Sequence, residues 1–446
     1  MLPDDERYSA IQFTLDLAII LLICFAFLSC TTSRNGVFGK RTLREKYEEK
    51  ITSAGLKQTV LGNQWFNAAQ KGLNQPLKIS LPYKETGYFA ADKPDAEGFV
   101  FKVRQGEKIA ISIIKKPAEG FHLFADLWRI SAGDNAPQFV DFVDSTNTLE
   151  YTQNNNDSLL LRLQPELLQN CEYTVTISAG PSLAFPVQSS ANPHIGSFWG
   201  ASRDAGARKH EGIDIFGKFR TPVVAAADGY ITGVNENRLG GKVVWLRPEG
   251  KNYTLYYAHL DSQIAKQGMF VKTGDVVGLM GNTGNAKNTP THLHFGIYTF
   301  GGAVDPLPFV NPKPIKPADI TASLNNLNKE TRNTKATALY ISPDVHSTKR
   351  ITIEKNNLLY VKAATASYYK VQLPDSSEGF ISSNVVTETS PLRNLTMNDS
   401  AHLYASPDTG APSITVLNDG EKVDLLASFN DFYYVQNKDK KGWILK

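Results

Sequence analysis

The sequence predicts a mainly β protein of several domains, and three observations predict it. Apolar and polar residues alternate in short runs through residues 76–190. The stretch 191–312 breaks into strand-like runs between glycine-rich turns, and the chain after residue 335 repeats itself. With 446 residues there is room for about three domains, and a hydrophobic fraction of 41% supplies ordinary buried cores. The 47 Lys and Arg against 44 Asp and Glu leave a net charge of +3, which predicts no strong attraction to nucleic acid or to a membrane surface.

In residues 1–30 the run 17–28 is apolar throughout, about the length of a signal-peptide core and too short to span a bilayer comfortably. It ends at Ser29-Cys30. We read a lipoprotein signal, with lipidation at Cys30 anchoring the chain to the membrane. Its flank is acidic (Asp4, Asp5, Glu6 and Asp16 against Arg7) where such signals are ordinarily basic. A cleaved signal or a short uncleaved anchor therefore stays open, and all three readings export the rest of the chain to the periplasm or cell envelope. The cysteines at 24, 30 and 171 offer no disulfide framework. Residues 31–75 mix charge, Gly and Gln without a clear period and read as a tether or a short helical lead-in.

Between 76 and 190, Phe99, Phe101 and Val103, then Ile109, Ile111 and Ile113, then Tyr173, Val175 and Ile177 alternate as half-buried strands do. Turn-rich stretches such as 153–157 separate them, which predicts a small β-sandwich. The turn Gly106-Glu107 between two such runs faintly resembles the all-β accessory domains beside secreted bacterial peptidases.

The chemistry concentrates in residues 191–312, which carry most of the histidines. His210 and Asp214 stand four apart around Gly212, both ordinary zinc donors. The opening His210-Glu211 fits a helical zincin motif poorly, because Gly212 interrupts it and the second histidine one helical turn on is missing. The β-branched Ile213 and Ile215 predict extended chain instead, with Asp214 inward from a strand and His210 in the preceding turn. Taken alone, the pair reads equally as a surface hydrogen-bonded pair. In Thr291-His292-Leu293-His294-Phe295, two histidines two apart on a strand project from one face, although an isolated His-x-His is also common as buried or solvated histidines. The pair follows Gly281-Asn282-Thr283-Gly284-Asn285, a composition that suits a tight loop beside a cleft. His259, in Tyr257-Ala258-His259-Leu260, follows the strand-like run 253–256. A hydrolytic metal site needs three protein ligands, an open position for water and a group that moves a proton. His210, Asp214 and one of His292 and His294 supply the first, and the two remaining histidines the last.

These three elements in this order resemble the lysostaphin and LytM-type zinc endopeptidases. Neighbouring segments share the resemblance: Ser197-Phe198-Trp199-Gly200 with Arg203, the run 221–229, and Gly274-Asp275-Val276-Val277-Gly278. It covers about 120 of 446 residues. It implies an antiparallel sheet with an open groove, zinc held by His210, Asp214 and His294, and His259 and His292 near the metal-bound water. One of those two histidines is expected to act as general base and the other to orient water or stabilise the tetrahedral intermediate, with no covalent acyl-enzyme. The expected reaction is hydrolysis of the short peptides that cross-link peptidoglycan, with a leaning towards bonds between D-amino acids. Two alternatives stay open: a non-catalytic wall-binding activator of other wall hydrolases, from which the filled ligand set argues away, and zinc proteolysis of ordinary proteins.

Prolines 312, 314 and 317 open a polar stretch, 313–335, that reads as a linker. Beyond it Leu339-Tyr340 and Ser342-Pro343-Asp344 recur as Leu403-Tyr404 and Ser406-Pro407-Asp408, and Val371-Gln372 as Val435-Gln436, each 64 residues on. Gly379-Phe380-Ile381 recurs as Gly442-Trp443-Ile444 at 63. Modules 336–388 and 390–446 resemble tandem bacterial SH3-like barrels, which often bind wall peptide in this family. Tyr368, Tyr369, Phe432 and Tyr433 fit a ligand groove and barrel core equally.

Overall fold

A computed structural model describes residues 41–446 except 132, 134–135, 189–191 and 204–205. The segment read as a lipoprotein signal, with the lipidation expected at Cys30, and residues 31–40 lie outside the described residues. No helix among the described residues is long and apolar enough to cross a membrane. The chain divides into two compact units after Leu56.

Helices occupy much of the segment read as a tether. Leu43–Ser53 opens on a capping box: Thr42 Oγ1 accepts from Glu45 N at 3.1 Å and Glu45 Oε2 accepts from Thr42 N at 2.8 Å. The second helix, Val60–Asn74, starts at Thr59 and packs on a sheet. Trp65 is buried, donates Nε1–H to the Pro165 carbonyl at 2.8 Å, and presents its own carbonyl to Gln164 Nε2 at 2.7 Å. The pattern of small residues on one face (Gly62, Ala68, Ala69, Gly72) permits that close approach. At the crossing a side chain on Gly98 would stand 1.8 Å from the Gly72 carbonyl oxygen, so only glycine fits.

The accessory domain is a two-sheet sandwich. One sheet runs Leu77–Lys78, Glu97–Val103, Asp157–Pro165, Leu123–Ile130, Gln138–Phe142. The other runs Tyr83–Phe89, Cys171–Pro181, Glu107–Lys116, Thr148–Thr152. The alternating residues read from the sequence are its core: Phe99, Phe101, Val103, Ile109, Ile111, Ile113, Tyr173, Val175 and Ile177 are all buried in one cluster.

The histidine-rich region forms an antiparallel sheet in the order His194–Ser197, Ile213–Phe216, His292–Thr299, Tyr253–Gln263, Gly241–Pro248, Gly229–Asn237, Phe270–Val271, with Pro222–Val224 paired to Val276–Met280 beside it. The short helix Leu307–Val310 ties it to the sandwich, since the Phe309 ring packs on Gly106, where a Cβ would stand 2.2 Å from it.

Both C-terminal modules are antiparallel, and their sheets stay open rather than closing into barrels. The stretch read as a linker contributes to the first: Glu330–Asn333 pairs with Leu358–Thr365, and Ala322 and Leu327 are buried in the module core. Tyr369 is core, whereas Tyr368 and Tyr433 are partly exposed. The modules stack head to tail through the same face. In the first, the strand Leu358–Thr365 pairs with the sandwich strand Tyr83–Phe89, Ala364 opposite Thr86. In the second, Ser428, the residue 64 positions after Ala364, bridges Asn357 of the first module and donates N–H to the Asn356 carbonyl at 2.8 Å.

Candidate metal centre

Strand register assembles the site. Ile213–Phe216 pairs with His292–Thr299 so that Asp214 lies opposite His294 and Phe216 opposite His292; on the far side, Ala258 lies opposite His294. His292 and His294 therefore share a face, as period-two alternation demands. His210 follows the two-residue hairpin Ser202–Arg203 and Arg208–Lys209, fixed by its N–H on the Ala201 carbonyl at 2.8 Å.

Three donor atoms converge there. His210 Nε2 is 3.0 Å from Asp214 Oδ1 and 3.0 Å from His294 Nδ1, which is 3.1 Å from the same carboxylate oxygen. His210 Nδ1 donates to the Phe198 carbonyl at 2.9 Å, which turns Nε2 towards the cluster. Gly212 is required by the packing, because a Cβ there would stand 2.5 Å from the Phe295 oxygen and 2.7 Å from His294 Cε1. Burial alone would raise the Asp214 pKa, but the bonds from His210 and His294 hold the carboxyl well below the usual carboxylate range. Burial lowers His294 despite the neighbouring carboxylate, so its ring stays neutral. Arg203 takes the second oxygen: its Nη2 donates to Asp214 Oδ2 and to Ser197 Oγ, each at 2.7 Å.

Two more histidines border this cluster. His292 Nδ1 donates to the Pro290 carbonyl at 2.8 Å and His259 Nδ1 to the Thr283 carbonyl at 2.9 Å, so each keeps its Nε2 lone pair. Their ring centroids are 4.9 Å apart, and His292 Nε2 is 4.0 Å from Asp214 Oδ1. His259 sits at φ +62°, a left-handed conformation costly for a residue with a side chain, and is held by its N–H on the Gly240 carbonyl at 2.7 Å. Burial, then the proximity of His292 and His294, pushes the His259 pKa down to about 4.

All five residues line one cleft of about 660 Å³. One wall is aromatic and absent from the sequence reading: Trp245 and Tyr256 lie with ring centroids 4.3 Å apart, and Tyr298 is 5.9 Å from Tyr256. Alternation through 253–257 marks a strand, but only the pairing of that strand with Gly241–Pro248 brings Trp245 opposite Tyr256. Asn237 was also missed. Its Oδ1 accepts from Leu239 N at 3.1 Å and Gly240 N at 2.7 Å, shaping the turn whose carbonyl holds His259.

Residues 208–306 match the model of peptidase family M23, and residues 399–446 that of the bacterial SH3 domain. The first module, 336–388, lies outside both matched segments. An L-Ala–D-Glu endopeptidase of Bacillus subtilis is 34% identical over 137 residues, covering 28% of this chain and 42% of the relative. A peptidoglycan DD-endopeptidase of Vibrio cholerae is 34% identical over 88 residues, 20% of each chain. An uncharacterized lipoprotein of Escherichia coli is 34% identical over 109 residues, 24% of this chain and 42% of the relative. The chain thus spans at most about two fifths of the length of these curated relatives. Among solved structures, the lysostaphin catalytic domain of Staphylococcus simulans is 31% identical, covers 26% of this chain and 92% of its own, and has a TM-score of 0.25.

Proposed function

We propose, for a chain whose residues 208–306 belong to peptidase family M23, that it is a zinc-dependent endopeptidase hydrolysing the peptide cross-links of bacterial peptidoglycan. One observation carries this reading: His210, Asp214 and His294 converge on one point of a cleft that two further, carbonyl-oriented histidines share.

The residues fit a small cation. Two imidazoles and an anionic carboxylate are an ordinary zinc set, the Phe198 carbonyl orients the His210 ring from outside, and the cleft beside them leaves room for water. When bound, zinc lowers the pKa of its water towards about 7 and polarises a substrate carbonyl. His259 and His292, each with Nδ1 on a backbone carbonyl and Nε2 towards the cleft, are placed to accept a proton from the attacking water and return it to the departing amine. The aromatic wall shields the reacting bond from bulk water and offers flat surface to an extended peptide. Relatives named for cleavage of wall peptides support the substrate. The lipoprotein relative supports export and a membrane anchor at Cys30, and the SH3 match supports wall peptide as the partner of the C-terminal region.

Metal analysis tests the assignment. His210→Ala and Asp214→Ala should lose zinc and activity together, whereas His259→Ala should keep most of the zinc and lose roughly 10²-fold or more in turnover. Equal zinc content in the three variants would contradict it.

A further inference from the structure

The repeat places the same face of each C-terminal module in a junction, yet the two junctions are built from opposite chemistry. In the second module Leu426, Tyr434 and Trp443 fill the contact with the first, buried in a shared apolar cluster. Their counterparts in the first module, by the same offsets, are Lys362, Lys370 and Phe380. These face the sandwich across a cavity of about 450 Å³.

Its floor is ionic. Lys362 Nζ lies 2.9 Å from Asp95, 3.3 Å from Glu97 and 3.1 Å from Glu378, and Lys370, almost fully buried, contacts Glu97. A junction that served only to join two domains would gain from the apolar filling seen 64 residues later, since buried ion pairs are often no more stabilising than apolar groups of the same volume. Of the groups that line the floor, three carboxylates face two ammonium groups, one negative charge in excess, and the Glu85 carboxyl lies behind Lys370 outside the lining. The rim carries the opposite sign, through exposed Lys71, Lys78 and Arg350. An anion alone would meet the excess carboxylate, and a cation alone the basic rim.

We infer that this cavity binds a small zwitterion, a free amino acid or the amino-acid end of a peptide, with its ammonium group at the Asp95, Glu97 and Glu378 floor and its carboxylate towards Arg350. A pocket of this kind takes orientation from a few charged groups and affinity from enclosure. The inference is independent of the metal centre, whose residues lie in a separate cleft.

Calorimetric titration of the intact protein tests it, using free alanine, trialanine, N-acetyltrialanine and trialaninamide, in wild type and in His294→Ala so that hydrolysis does not contribute. Trialanine should bind saturably in both proteins, and blocking either end should weaken it about tenfold or more. Glu378→Gln should weaken trialanine similarly while leaving N-acetyltrialanine unchanged, and Arg350→Ala should act through the carboxylate only, leaving trialaninamide unchanged. Binding of free alanine as tight as that of trialanine would identify a free amino acid as the ligand, and trialanine alone a peptide end. Absence of saturable binding by free alanine and trialanine, or wild-type affinity in both cavity variants at an unchanged melting temperature, would overturn the inference.

Discussion

Arg203 lines the cleft without being one of the three converging donors. It occupies one oxygen of Asp214 and leaves the other to the histidines, so Arg203→Ala should lower zinc affinity roughly 10–100-fold, measured by competition with a chromophoric chelator. An unchanged affinity would remove Arg203 from the site. His259 predicts a pH effect. Its folded pKa of about 4 lies below the ordinary histidine value of 6.5, so below about 6.5 the unfolded chain takes up a proton that the folded chain refuses. Stability of the metal-free protein should therefore fall as pH drops from about 6.5 towards 4, and His259→Gln should flatten that slope in melting curves. The five residues that share the cleft were legible from their types and spacing, and their division into ligands and proton carriers is what the resemblance implies. Arg203 was legible only as part of a motif. Its bond to Asp214 depends on a hairpin turning back over the strand, which no local pattern announces.

At the scale of elements, register does the work. A shift of one residue between Ile213–Phe216 and His292–Thr299 would turn Asp214 away from His294. Gly212→Ala should accordingly displace His294 or the strand edge and abolish stoichiometric zinc binding with the fold intact. Full zinc occupancy in that variant would show that the packing relaxes at little cost. The strands of the sandwich were readable because Phe99, Ile109 and Tyr173 lead alternating runs over a single core. Helix Val60–Asn74 was read only within a tether or short helical lead-in, although its buried face, Gly62, Trp65, Ala68, Ala69 and Gly72, recurs at helical spacing; small Gly and Ala on that face do not stand out as apolar. The closed barrels expected from the repeats were wrong about closure: the turn motifs repeat faithfully, but closure depends on edge strands, and in the first module an edge is spent on the sandwich.

Across the whole molecule, the sandwich and the first module share a continuous sheet, so the C-terminal region is no freely hinged pair of beads. Deleting residues after about 335 removes Lys362 and Lys370 from Glu97 and exposes the edge of Tyr83–Phe89. Such a truncation should melt roughly 5 °C or more below the intact chain, and further below it than a truncation after 389 that keeps the shared sheet. Equal melting temperatures would mean that the junction contributes little. If the second module targets the wall, either truncation should weaken wall binding more than cleavage of a small soluble peptide. The central claim is tested most directly by incubating the intact soluble region with purified peptidoglycan, with and without a zinc chelator, and identifying released fragments by mass spectrometry. Cleavage within cross-linking peptides that stops on chelation and resumes on adding zinc is the predicted result. A wall left intact by zinc-loaded protein that nonetheless binds it would contradict the account.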